Sequence, residues 1–306
     1  MRTTEEKRRF IRRHRAELGG VRRGCEMTEL SVSGYYYKPK RDPVERARLD
    51  AELRERIEAI QAVHPRYGYR RVMWEFRRSD RRRVNAKRIR RVMRKYGLFA
   101  QVRRAYVRTT DSRHGFGVYP NLVKGRAPDG PNQIWVGDIT YIRIATCFVY
   151  LAVILDLFSR KVIGWALSQS LQHELSLEAL KMALEIRKPP EGCIHHSDRG
   201  VQYACDEYVQ LLMANGFQIS MSRSGNPYDN AFAESFMKTL KHEEVSLWEY
   251  ETMADVVERI PYFIEEVYNK KRLHSSIGYM PPEEYERLMM EKSTNMACKP
   301  SPNCRG

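Results

Sequence analysis

The sequence predicts an α/β fold, a mixed five-stranded sheet flanked by helices, preceded by an all-α basic arm of helix-turn-helix character. Three observations predict it. From Gln133 onward, apolar residues fall in strand-like runs that later alternate with helical spacing. The first three of those runs are joined by connections too short for anything but an antiparallel meander. Charge is also segregated: residues 1–126 carry 36 Lys+Arg against 14 Asp+Glu, and residues 127–306 carry 18 against 24. The overall charge of +16 is therefore a basic half of +22 joined to a mildly acidic half of −6. That asymmetry fits a nucleic-acid-binding arm attached to a second domain with its own chemistry.

The elements follow in order. Residues 4–18 read as a basic helix stopped by Gly19-Gly20, and a short helix starts at Val21. A turn and a Ser-started aromatic segment, Ser31 to Tyr37, complete a helix-turn-helix-like unit over 1–40. Pro39 and Pro43 mark a linker. Residues 44–100 read as an Arg-rich helical DNA-binding domain: a helix from Val44 to Val63 with Leu49, Leu53, Ile57 and Ile60 on one face, and a helix from Ala86 to Tyr96 capped by Asn85 and ended by Gly97. Val72, Trp74, Phe76, Ile89, Val92 and Met93 would form its small core. Arg77, Arg78, Arg82, Arg88 and Arg91, with neighbouring arginines, would be left for phosphates, contacts that position a duplex without reading it. Residues 101–131 form a Gly- and Pro-rich linker.

Residues 132–290 hold the α/β unit. Gln133–Ala145, Phe148–Asp156 and Lys161–Ser168 read as strands, then Ser176–Lys188 as a helix. Cys193–Ser197 and Gln218–Met221 read as further strands, separated by a helix over 202–215. Helices over 230–241, 254–269 and 282–290 follow, and residues 291–306 read as a disordered tail. Three antiparallel strands, then helices alternating with two more strands, is the order of a ribonuclease-H-like sheet.

Composition narrows the compartment. At 306 residues the chain has room for two or three compact units. No apolar segment opens it, and the longest apolar run, Phe148 to Leu155, is too short to span a bilayer. The six cysteines show no CxxC pairing, which points to reduced thiols in a cytosolic protein. Cys193, His195 and His196 lie close in sequence, but the histidines of a strand point to opposite faces and no second ligand pair stands nearby, so zinc is not expected.

Three acids carry the chemistry. Asp138 sits inside the apolar run Trp135 to Tyr141, where an unpaired charge is costly to bury. Asp198, after a gap of 59 residues, follows Ile194-His195-His196-Ser197 at a strand end, the usual place for functional groups in an open sheet. Glu234 lies one turn into a helix, after a gap of 35 residues. Each has a bland reading alone: a hydrogen-bonded strand acid, a helix N-cap, a first-turn acid favoured by the helix dipole. Together they read as oxygen-only ligands for Mg²⁺ or Mn²⁺, two ions per site, in phosphoryl transfer on nucleic acid. Lys238 and Lys241 share nearly the same helix face as Glu234 and would hold a DNA backbone, as would Arg199. Asp229 competes for the metal role but reads as a turn or cap residue.

At these residues the chain resembles the DDE transposases of the retroviral-integrase superfamily, most closely the second-frame product of bacterial insertion sequences of the IS-three type. The resemblance runs through Trp135–Tyr141, His196–Tyr203, Ser224–Ala231, Glu234-Ser235-Phe236 and Lys238–Lys241 to Tyr268-Asn269, Arg272-Leu273-His274 and Pro281-Pro282-Glu283. It implies that Asp138, Asp198 and Glu234 are the catalytic, metal-binding triad, with Lys241 near the DNA end. It also implies strand cleavage and strand transfer at the terminal repeats of an element, insertion into target DNA, and a homo-oligomer on paired ends. A first-frame product acting as fusion or partner belongs to the same resemblance. The His/Cys zinc module of retroviral integrases has no counterpart before Asp138. Two other readings stand beside it: a non-catalytic DNA-binding regulator of transposition, against which the intact acids weigh, and a ribonuclease H, against which the basic arm weighs.

Overall fold

The computed structural model describes residues 3–37, 42–79, 83–100, 117–222 and 230–297. Arg82, Asp229 and most of the expected 101–131 linker lie outside them. The chain forms two compact units, one of Met1–Ala62 with Asn85–Leu98 and one of Val63–Val84 with Phe99–Gly306. Residues 44–100, expected as one domain, are thus shared between the two.

In the first unit, α1 (Thr4–Arg13) opens with a capping box in which Thr3 and Glu6 satisfy each other's backbone N–H. It ends at Arg13 and not at residue 18, because the chain turns from His14 onward toward α2 (Val21–Met27). Gly24 of α2 lies against Ile11, whose Cγ2 a Cβ would approach to 3.0 Å. Ser31 caps α3 (Val32–Tyr36) through the Gly34 N–H, and Arg8 donates twice to the Gly34 carbonyl at 2.8 and 2.6 Å, closing the three-helix unit. α4 (Pro43–Val63) buries Leu53 and Ile57, and α6 (Ala86–Lys95), capped by Asn85 as expected, buries Ile89, Val92 and Met93.

The second unit opens with α5 (Tyr69–Ser79), in which Val72 and Phe76 are buried, and is built on the expected mixed five-stranded sheet. Strands β1 (Ile134–Arg143), β2 (Phe148–Asp156) and β3 (Val162–Ser168) form the antiparallel meander. β4 (Ile194–Ser197) and β5 (Gln218–Met221) add in parallel on the other side, giving the order β3-β2-β1-β4-β5. β1 is thus central. One sheet face, with Val136, Ile142 and Val153, packs under Phe236, Leu240, Ile260 and Phe263. The other, with Trp135, Ile154 and Ile163, packs under Leu180, Tyr208 and Leu212. α7 (His173–Arg187) approaches so closely that a Cβ on Gly164 of β3 would run into the Ala179 carbonyl.

Several boundaries differ from the sequence reading. The helix expected over 202–215 is two, α8 (Val201–Ala204) and α9 (Asp206–Ala214), because Cys205 is extended, with φ −69° and ψ 149°. α10 (Ala231–Leu240) continues into a π turn, Lys241–Val245, and α11 (Met253–Tyr262) into another, Phe263–Asn269, which follows Pro261. α12 (Pro282–Ala297) runs seven residues past Met290, into the segment expected to be disordered. Part of the expected linker packs on the sheet: Leu122 N–H donates to Ser220 Oγ at 2.8 Å and Val123 joins the core.

Candidate active site

The site forms where β1 and β4 run side by side. Their parallel register pairs Trp135 with His195 and Val136 with His196. Asp138 lies two residues further along β1, and Asp198 is the first residue after β4 ends at Ser197, so the register directs both toward the same end of the neighbouring pair. Strand alternation turns Asp138 to the face of Val136 and Ile142, the face that α10 covers. Glu234 lies in the first turn of that helix, exposed.

The electrostatics report the same convergence. Burial, then the neighbouring carboxylate of Asp198, then that of Glu234, push Asp138 up to about 8. The Ile139 N–H, donating to Asp138 Oδ1 at 2.9 Å, and the Lys241 ammonium pull the other way without prevailing. Burial also raises Glu234. Asp198 is oriented by its own turn: Gly200 N–H donates to Oδ1 at 2.9 Å, and a Cβ on Gly200 would crowd that oxygen at 2.9 Å. The aspartates and the glutamate are drawn from three elements into one electrostatic neighbourhood. Among the described residues, no group of three or more His, Cys, Asp or Glu side chains stands in a geometry that could hold a metal ion. The donor chemistry nevertheless fits a hard cation: the oxygens are carboxylate, and their mutual repulsion is the kind a divalent ion relieves.

Lys241 lies at the end of α10, its Nζ 4.5 Å from the Tyr141 ring centroid; burial lowers its pKa while Asp138 raises it. Lys238 is exposed on the same helix. Arg199 donates Nε–H to the Ser222 carbonyl at 2.8 Å. Elsewhere in this unit, Arg77 lies over Trp74 at 4.7 Å and Arg78 grips Glu284 with two N–H groups at 3.1 and 2.5 Å. In the other unit, Arg88 and Arg91 both bind Asp50, at 3.3 and 2.8 Å. The arginines expected to be left for phosphates are therefore distributed between the two units, and three of them hold carboxylates of this chain.

Sequence reasoning missed the groups around the acids. His196 stands between Ser220 Oγ, 2.8 Å from Nδ1, and Ser222 Oγ, 3.1 Å from Nε2, and so ties β4 to β5. His195 Nε2 meets the Tyr208 hydroxyl at 2.9 Å, and burial lowers its pKa to about 3. Gly137 beside Asp138 leaves room for Tyr203 and His195, whose atoms would lie 3.2 and 3.3 Å from an added Cβ. Burial, then Tyr208, then Asp138 and Asp198 raise the Tyr203 phenol. Asp156 is a second buried acid with a different fate: Asn132, Phe158 and Ser159 donate backbone N–H groups to it at 2.6, 2.9 and 3.2 Å. It is a structural anchor at the end of β2.

A central strand with one acid, a second acid just past the end of its parallel neighbour and a covering helix with a third, on a sheet of this order, is the ribonuclease-H-like arrangement of integrase cores. Family models described as Integrase core domain match residues 128–227 and 215–282, and one described as HTH-like domain matches residues 48–106. The chain is 36% identical to the Insertion element IS600 uncharacterized 31 kDa protein of Shigella sonnei, over 86% of this chain and 99% of that one. It is 37% identical to the Transposase for insertion sequence element IS904 of Lactococcus lactis, over 82% and 98%. It is 35% identical to Transposase InsF for insertion sequence IS3A of Escherichia coli, over 90% and 97%. The chain belongs to the IS3 family of insertion-element transposases. A cryo-EM structure of the simian T-cell lymphotropic virus intasome with PP2A regulatory subunit B56 gamma aligns at TM-score 0.45 and 14% identity, over 82% of this chain and 76% of that one.

Proposed function

We propose that this transposase cleaves DNA strands at the ends of its insertion element and transfers them to target DNA, with Asp138, Asp198 and Glu234 as ligands of Mg²⁺ or Mn²⁺, two ions per site. The observation that supports it best is the carboxyl of Asp138, raised to about 8 by burial and by two further acids in the same neighbourhood. Such a cluster is costly to keep without a cation. When bound, the ions would make a water or 3′-hydroxyl nucleophilic and stabilise the leaving oxygen. The chain's own residues supply the rest. Strand pairing holds the backbone of Asp138, and the turn after β4, through the Gly200 N–H, orients Asp198. The first turn of α10 brings Glu234, which sits on the exposed side and closes the set by a side-chain movement. Lys241, already within the field of Asp138, and Lys238 one turn earlier face the approaching phosphodiester backbone.

DNA is the partner this implies: the element's ends and a target, with Arg199 and the basic helices assisting. Two ends joined in one reaction call for at least two copies of the chain. A first-frame product would act as fusion or partner, in a bacterial cytoplasm. None of the helices among the described residues is long and apolar enough to cross a membrane.

The test is strand transfer on oligonucleotides carrying the element's ends, for wild type and Glu234→Gln, alone and fused to the upstream frame. Mg²⁺-dependent joining that Glu234→Gln abolishes supports the proposal. Tight end binding without joining in both forms would replace it with a DNA-binding regulator.

A further inference from the structure

The segment from His64 to Arg71 has the composition of a DNA contact and lies within the residues matched by the HTH-like family model. The structure gives it another task. Its compact unit is that of the sheet. Arg66 reaches His242 Nδ1 at 2.9 Å and donates to Ser246 Oγ at 2.6 Å. Arg71 donates to Glu243 Oε1 at 3.0 Å. Arg272, 6% exposed, takes the same carboxylate with two N–H groups at 2.7 and 2.9 Å and adds Thr239 Oγ1 at 3.3 Å. Tyr67, 1% exposed, accepts the Leu273 N–H at 3.0 Å and stacks on His64 with centroids 4.3 Å apart.

Apart from His64 and Leu273, these partners lie in the π turn Lys241–Val245 or within two residues of it. Residues two apart on a helix point to opposite sides. Lys241 faces Tyr141 and the field of Asp138, while Glu243 points back to Arg71 and Arg272. A grip on 242, 243 and 246 from behind therefore sets where Lys241 stands in front. Opposed charges and a desolvated guanidinium make that grip specific in register, since a slipped turn would leave Arg272 buried without its carboxylate.

We infer that Arg66, Tyr67 and Arg71 are positioning residues: they seat the turn after α10 and so fix Lys241 and the helix bearing Glu234, and they do not contact DNA. The inference rests on the proposed roles of Glu234 and Lys241.

Arg70 supplies the control. It is exposed and beside Arg71 in sequence, and among the described residues its side chain meets only its neighbour Tyr69. In the full chain, Arg71→Gln, Arg71→Lys, Arg70→Gln and Tyr67→Phe are compared in three ways: amide hydrogen exchange, the salt dependence of binding to an end duplex, and kcat against KM for strand transfer. Arg71→Gln is expected to speed exchange over 241–246 by about tenfold, the loss of one charged hydrogen bond, with β1 to β3 unchanged. Its duplex affinity and salt slope stay as in wild type, and kcat falls by roughly 10- to 100-fold at constant KM. Arg71→Lys restores part of both effects, Tyr67→Phe speeds exchange in the same segment, and Arg70→Gln leaves exchange and kcat unchanged. The inference is overturned if Arg71→Gln lowers the salt slope by about one while exchange over 241–246 stays at the wild-type rate. If wild type transfers no strands, exchange and salt slope still decide the brace, and only the proposed chemistry falls.

Discussion

Two carboxylates in the same unit, Asp138 and Glu243, are both largely withdrawn from water and titrate in opposite directions. Asp138 is raised to about 8 by burial and by two other acids. Glu243 feels burial too, but Arg272 and Arg71 more than offset it and hold the carboxyl below its usual value. One acid has its counter-charges built in at 2.7 to 3.0 Å. The other is surrounded by its own sign, which the Ile139 N–H and Lys241 moderate without offsetting. The difference separates an architectural acid from one that, in the proposed function, takes its partner from outside the chain.

The comparison can be broken most directly by neutralising each acid. Glu243→Gln leaves the buried Arg272 guanidinium without its charge partner and should destabilise the protein by about 3–5 kcal/mol, read by denaturant unfolding. Asp138→Asn should do the opposite in metal-free buffer, raising stability, while lowering strand transfer by about a hundredfold or more, the scale of removing one electrostatic stabiliser from a preorganised site. If both substitutions shift stability in the same direction, the contrast is wrong.

A smaller effect comes from two buried histidines kept neutral by the fold. Burial lowers His195 to about 3, and burial with Arg272 and Arg71 nearby lowers His274 to about 2. The unfolded chain takes up these protons near the ordinary value of 6.5, so their contribution is complete above that pH and is lost as pH falls toward the folded values. Each should remove roughly 2 kcal/mol of stability between about pH 6.5 and 5. His195→Gln and His274→Gln should flatten the measured slope of stability against pH in that window.

Asp50 in the other unit resembles Glu243 in having two arginines, but its cations are a third or more exposed, at 33% and 39%. Water already serves them, and Arg88 remains when Arg91 is removed. Arg91→Ala should therefore cost only about 1 kcal/mol. Smallest of all, Lys238→Ala should leave stability within error and lower the salt slope of DNA binding by about one.

The sheet was legible because it is written locally. Phe148–Asp156 has the bounds read from its apolar run, and the meander follows from connection lengths. Asp138 and Asp198 were legible because an acid inside an apolar strand and an acid at a strand end both stand out against their neighbours. The break at Cys205 carried a signal that periodicity hides: Asp206 and Glu207 are first-turn acids of a new helix. The brace carried none. Arg71 and Glu243 are 172 residues apart, and an arginine beside a tyrosine reads alike whether it awaits a phosphate or a distant glutamate. For the same reason Arg78, Arg88 and Arg91 read as left for phosphates, although their partners are Glu284 and Asp50.

The central claim, that Asp138 belongs to a site completed by a cation, is tested most directly by titrating Mn²⁺ into the metal-free protein. Binding would be followed by calorimetry and by the rise in Tm, for wild type and Asp138→Asn. Saturable binding that raises the wild-type Tm and is lost in Asp138→Asn is the predicted result. Equal binding by both proteins, or none by either up to millimolar metal in the presence of end DNA, would contradict it.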